Sequence, residues 1–119
     1  MTTLIASLSA GKGTWIHVGK LIDSGDFDKV ILVTNQWGKD NYKNEKNAEL
    51  IVIDAYKPVE ENMKILEEAL KDKIDDTEVA VNFISGSGNE HMSILSTLLK
   101  LGLGIRLVIA DEEGKVKVI

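Results

Sequence analysis

The chain has 119 residues, 44% hydrophobic and 28% charged, with no cysteine, so one soluble, cytoplasmic globular domain with its own core is expected. The missing cysteines exclude disulfides, thiolate metal sites and a cysteine nucleophile, and no apolar run approaches the roughly 18 residues of a membrane helix. Residues 60–78 account for the whole formal net charge of −5, and no basic stripe for long nucleic acid is visible.

Residues 2–8 read as a first strand, and Ser9-Ala10-Gly11-Lys12-Gly13 as a loop. Thr14 is the expected N-cap of a helix with Trp15, Val18 and Ile22 on one face. Lys29–Thr34 is a continuous apolar run, the pattern of a strand buried on both faces. The polar segment Asn35–Asn47 holds either a helical turn or a loop. Glu49–Ala55 is the third strand. Pro58 opens a helix whose Val59, Met63, Leu66, Leu70 and Ile74 form one apolar stripe opposite an acidic face. Glu78–Ile84 is the fourth strand, Glu90–Leu101 a helix closed by Gly102 and Gly104, and Gly104–Ala110 the fifth strand. Asp111–Gly114 turns the chain into a last strand, Lys115–Ile119. Strands alternating with helices predict an α/β, Rossmann-like, doubly wound, mostly parallel six-stranded sheet. Its expected order is about 3-2-1-4-5-6, with an antiparallel hairpin at the C-terminal edge.

In such a sheet, ligands bind beyond the carboxyl ends of the strands where the order reverses, here between strands one and four. The loops at that point, Leu8–Thr14 and Ser85–Asn89, are the two richest in Gly and Ser. A Ser/Gly turn before a helix leaves backbone N–H groups free to face an anion. Neither loop is a P-loop or a dinucleotide fingerprint. Gly13, not Ser or Thr, follows Lys12; position 6 is Ala; position 16 is Ile; and no acid follows the second strand at Thr34-Asn35.

The run Asn82-Phe83-Ile84-Ser85-Gly86-Ser87-Gly88-Asn89-Glu90-His91-Met92 is similar to the motif after strand four in the CARF (CRISPR-associated Rossmann fold) domains. Asn82, Ser85, Gly86 and Met92 match that motif, and Leu98-Leu99-Lys100-Leu101-Gly102 is similar in character. Ser87 stands between the two glycines, and Asn89 or Glu90 occupies the position that is basic in the family, leaving His91 as the nearby cation. The resemblance implies a stand-alone homodimer that binds a cyclic oligoadenylate, the second messenger of type III CRISPR defence, across its two-fold axis. It would act as a sensor or as a metal-independent ring nuclease; the departure from the family at Asn89-Glu90-His91 favours binding over cleavage, and with two histidines, no cysteine and the acids clustered on one exposed helix, no metal or cofactor is expected. The implied ligand-binding residues are Ser9, Ala10, Gly11, Lys12, Gly13, Thr14, Asn35, Trp37, Ser85, Gly86, Ser87, Gly88, Asn89 and His91, with Ser9 and Lys12 as catalytic candidates.

Each candidate also has a plainer reading. Ser and Gly are what tight turns use, and Lys12 also reads as a solvated loop lysine. Trp37 either stacks on an adenine or caps the sheet edge. Lys39, Lys43 and Lys46 either reach phosphates or balance Asp40 and Glu45. His17 is expected to be packed or on the surface, and Trp15 in the core. Ile94, Leu95, Leu98, Leu99 and Leu101 occupy more than one helical face, which means either a partner or a deeply wedged helix. The alternatives are a regulatory, complex-forming domain with no nucleotide ligand, or an enzyme acting on a phosphorylated metabolite in the same cradle.

Overall fold

Six apolar runs pair into one sheet, and the computed structural model describes residues 2–9 and 11–119. The elements are β1 (Thr3–Leu8), a 3-10 turn (Lys12–Thr14), α1 (Trp15–Asp23), β2 (Lys29–Thr34), α2 (Gln36–Asn41), β3 (Glu49–Val52) and α3 (Val59–Leu70). β4 (Glu78–Asn82), α4 (Gly88–Lys100), β5 (Gly104–Ala110) and β6 (Val116–Val118) complete the chain. The strand order is β3-β2-β1-β4-β5-β6, as the sequence predicts. All neighbours are parallel except the β5–β6 hairpin.

Period-two alternation divides the core into two layers. Ile5, Ile31, Val33, Ile51, Val79 and Val81 share one cluster with Leu66 and Leu70 of α3 and Ile94 and Leu98 of α4. Leu4, Ala6, Leu8, Leu32, Ala80 and Val108 share the other with Val18 and Leu21 of α1. β1 has a parallel neighbour on each side, β2 and β4, so the order reverses there. All six of its residues are buried; four are apolar, and the two polar ones, Thr3 and Ser7, hydrogen-bond through their hydroxyls to Asp76 and to the Ser85 carbonyl.

Several boundaries differ from the sequence expectation. β1 starts at Thr3, and β6 is confined to Val116–Val118. α4 starts at Gly88 rather than Glu90, because Ser87 and Glu90 form a capping box. Thr14 stands before α1 without capping it; its hydroxyl donates to the Gly11 carbonyl at 2.9 Å. The segment after β2 forms α2, because the Asn35 Oδ1 accepts from Gly38 N at 2.7 Å and caps the helix. β3 stops at Val52, though Ile53 N still donates to the Thr34 carbonyl. β4 stops at Asn82, whose Nδ2 donates to the Val108 carbonyl while its Oδ1 accepts from Ile84 N. α3 ends at Leu70, and Ile74 packs on the core from beyond the helix. No described helix is long and apolar enough to cross a membrane.

Gly38 is fixed by sterics. A Cβ there would lie 2.0 Å from Thr34 Oγ1 and 3.1 Å from the Leu8 carbonyl. Only a residue without a side chain lets α2 lie this close to the ends of β1 and β2. Gly38→Ala is expected to lower stability by about 1–3 kcal/mol, read as a shift in the urea midpoint.

Candidate functional site

The turns after β1 and β4 are stitched to each other by serines. Ser7 donates from its hydroxyl to the Ser85 carbonyl. Ser9 N donates to Ser85 Oγ at 3.1 Å, and Ser9 Oγ donates to Glu90 Oε1 at 3.1 Å. His91 Nε2 lies 2.7 Å from the same Ser85 carbonyl, so the tautomer with its proton on Nε2 donates to it. Ser7, Ser9 and Ser85 are all buried. Buried hydroxyls need partners, and these partners fix the two loops against one another. Gly86 has φ +99°, and a Cβ there would meet His91 Nε2 at 3.2 Å and Glu90 Oε1 at 3.3 Å. The turn therefore requires glycine both for its left-handed backbone and for this close approach.

Glu90 is the residue around which the turn closes. Its side chain is 2% exposed. Oε1 accepts from Ser87 N at 2.9 Å, Ser87 Oγ at 3.0 Å and Ser9 Oγ at 3.1 Å. The start of α4, which the sequence marks as an anion cradle, thus receives a carboxylate from its own first turn. The physics is the expected one, a negative charge at a helix N-terminus, but the anion is internal. Oε2 of the same carboxylate is buried and accepts no hydrogen bond. The signal was present in the sequence as Ser87-x-x-Glu90, the capping-box spacing.

A cleft opens beside this turn at the carboxyl ends of the strands. One part, about 320 Å³, is lined by Ser9, Asn35, Ala55, Tyr56, Gly86, Ser87 and Glu90. A second, about 400 Å³, is lined by Asn35, Gln36, Trp37, Val52, Ile53, Asp54, Tyr56, Lys57 and Ile65. Asn35 and Tyr56 belong to both, so the two parts adjoin. Tyr56 is 99% exposed and Trp37 44% exposed. Nothing in the sequence pattern distinguishes Tyr56; only the β3–α3 turn brings it here. The far wall is held by Asn62, a buried polar residue on the apolar stripe of α3. Asn62 Nδ2 donates to the Asp54 carbonyl at 2.7 Å and to Asn89 Oδ1 at 3.0 Å. Asn89 Nδ2 in turn donates to the Lys57 carbonyl at 2.9 Å, tying α4 to the turn that carries Tyr56.

Lys12 is not part of the serine network. Its Nζ stands 5.9 Å from the Trp15 ring and 5.7 Å from the Trp37 ring, whose centroids are 5.6 Å apart. This is a cation–π pair of contacts on the flank of the cleft. Trp15 Nε1 donates to the Ser9 carbonyl at 2.7 Å, so the indole is half-buried with its polar end satisfied. Gly11, Gly13, Ser87 and Gly88 are exposed, and Thr14 is half-buried. Ala10 lies outside the described residues. His17 is exposed on α1. Among the described residues, no group of three His, Cys, Asp or Glu side chains is arranged to hold a metal ion.

A larger hollow, about 440 Å³, lies at the opposite, amino ends of β2 and β3. Two of its lysines are already engaged: Lys29 donates to the Lys73 carbonyl, and Lys73 pairs with Glu49. The carboxyl-end cleft, with the partly exposed Trp37 and the exposed Tyr56 at a strand-order reversal, is the better candidate.

Glu90→Ala is expected to cost about 2–3 kcal/mol, since it removes the capping box and leaves the buried Ser9 hydroxyl without its acceptor; chemical denaturation measures it. Half-buried Tyr42 gives a pH prediction. Burial first, then the negative charges of Asp23 and Glu45, push its phenol above the ordinary value of 10.0. The unfolded chain therefore ionises first, and stability present below about pH 10 is lost as pH rises through the folded value. Tyr42→Phe is expected to flatten that alkaline decline in urea midpoints measured from pH 9 to pH 11.5.

No protein-family model matches the chain, and no curated protein matches it.

Proposed function

We propose that this chain binds a small nucleotide in the carboxyl-end cleft, as a sensor. The specific ligand proposed is a cyclic oligoadenylate of type III CRISPR defence, held by a homodimer. The observation that carries the reading is the cleft itself. It lies beside the β1/β4 reversal, offers the exposed faces of Trp37 and Tyr56, and has Lys57 in its wall and Lys12 over Trp37. Aromatic faces suit bases, stacking being worth about 1–3 kcal/mol per base, and the lysines suit phosphates.

Sensing is favoured over cleavage because the Ser9 hydroxyl is buried and engaged with Glu90. Exposed apolar side chains support the dimer. Met92 and Leu99 are seven residues apart on α4, both more than half exposed, and Ile84, Leu107 and Ile119 line one apolar hollow. The same surface also favours a second reading, a complex-forming domain with no nucleotide ligand.

Thermal melts with cyclic tetra- and hexaadenylate decide between them. A ligand at 100 times its Kd is expected to stabilise the protein by about 2.7 kcal/mol, raising Tm by several degrees. No rise with either ring at millimolar concentration removes the nucleotide reading. Labelled ring incubated in EDTA is expected to stay intact; cleavage products would replace the sensor assignment with a ring nuclease.

A further inference from the structure

The turn after β3 carries a carboxylate that is held more firmly than a solvated loop residue requires. The buried amide of Asn62 takes both backbone groups of Asp54: its Oδ1 accepts from Asp54 N at 3.2 Å, and its Nδ2 donates to the Asp54 carbonyl at 2.7 Å. The side chain is tied as well, since Asp54 Oδ1 accepts from Tyr56 N at 2.9 Å. Asp54 is nevertheless exposed and lines the second part of the cleft, and among the described residues nothing donates to its Oδ2. A carboxylate oxygen is an acceptor only, so this rim offers a ligand one open, firmly positioned acceptor.

The neighbouring strand end supplies the complementary role. Ile53 N donates to the Thr34 carbonyl at 2.8 Å, so Asp54 and Asn35 each follow directly on a paired residue, side by side in the same recess. Asn35 Oδ1 is spent on the cap of α2, and its Nδ2 remains a donor without a partner among the described residues. A Rossmann-type sheet commonly carries the acid for a ribose after its second strand. This sequence has Asn35 there, and the fold brings an acid alongside it from β3. We infer that Asp54 is a specificity-determining residue that accepts a hydrogen bond from a ribose 2′-hydroxyl of the ligand, while Asn35 Nδ2 donates to that same hydroxyl oxygen. The inference rests on the nucleotide-binding reading and deepens it. A hydroxyl donates and accepts at one atom, which matches an acceptor and a donor set side by side. A phosphate oxygen only accepts and carries the same sign of charge as Asp54, so it is left to Lys57 and Lys12. Trp37 and Tyr56 line the same recess for the base. Its volume of about 400 Å³ lies within the roughly 300–1,000 Å³ of small-ligand sites.

The test compares cyclic tetra- and hexaadenylate with the same rings made throughout from 2′-deoxyribose, by isothermal titration calorimetry. The unmodified protein is expected to bind the deoxy rings at least about tenfold more weakly, the size of a lost hydrogen bond to a charged acceptor. Asp54→Asn keeps Oδ1 for Tyr56 N and replaces the other oxygen with a donor, so discrimination between ribose and deoxyribose is expected to fall below about threefold. The ratio is read rather than the affinity, because removing a negative charge changes the binding of both rings. Equal or tighter binding of the deoxy rings by the unmodified protein overturns the inference and leaves the nucleotide reading standing. Binding of neither kind of ring overturns both. Full discrimination retained in Asp54→Asn also overturns it. Should that variant fail to fold in a melt, Asp54→Ser, whose hydroxyl serves the same turn, takes its place with the same expected loss of discrimination.

Discussion

A single buried carboxylate holds the working end of this fold together. Glu90 accepts from a backbone amide and a hydroxyl in its own turn and from a hydroxyl on the loop after β1. Loops at the carboxyl ends of two neighbouring strands are otherwise free to part, since no ladder hydrogen bond joins them. Here one acceptor at the positive end of α4 binds both, and Ser85 adds further bonds from Ser7 and Ser9. The stabilisation is electrostatic and local, and it operates where water is excluded, which strengthens each bond. The cleft exists beside this knot because the knot keeps its near wall from collapsing into it.

The far wall depends on the same kind of device at a distance. Asn62 interrupts the apolar stripe of α3 to bond with Asp54 and Asn89, and Asn89 reaches back to the Lys57 carbonyl. Two polar residues thus fix the spacing between α3, α4 and the turn that presents Tyr56. Opposite them, α2 is pressed onto the ends of β1 and β2 at Gly38, which sets where Trp37 stands. The recess is therefore bounded by rigid contacts on three sides, while the aromatic faces inside it are left exposed.

Much of the fold was legible in the sequence. The apolar runs of β1 and β2 and the stripe of α3 mark their elements in residue order, and the alternation of strands with helices gave the strand order. The site was legible only in outline. Position and Gly/Ser content selected the two loops, but composition reads a Ser/Gly turn as an open anion cradle. What closes that cradle is the side chain of Glu90, whose Ser87-x-x-Glu90 spacing permits the capping box but does not fix which partners the carboxylate takes. Thr14 shows the same limit, since its capping chemistry was present and its backbone turned the hydroxyl back to Gly11 instead.

The sequence by itself determined the element types outside the segment of α2, the parallel order and the place where the order reverses, because these follow from hydrophobic periodicity and connection rules that act along the chain. Tertiary structure alone decided which groups at that place remain free. Ser9 and Ser85 are consumed because residues 76 positions apart come within hydrogen-bond distance. Tyr56 faces the cleft because β3 ends early and its turn is pinned by Asn62 and Asn89. Burial and partnership are properties of packing across the sheet, and no spacing along the chain encodes them.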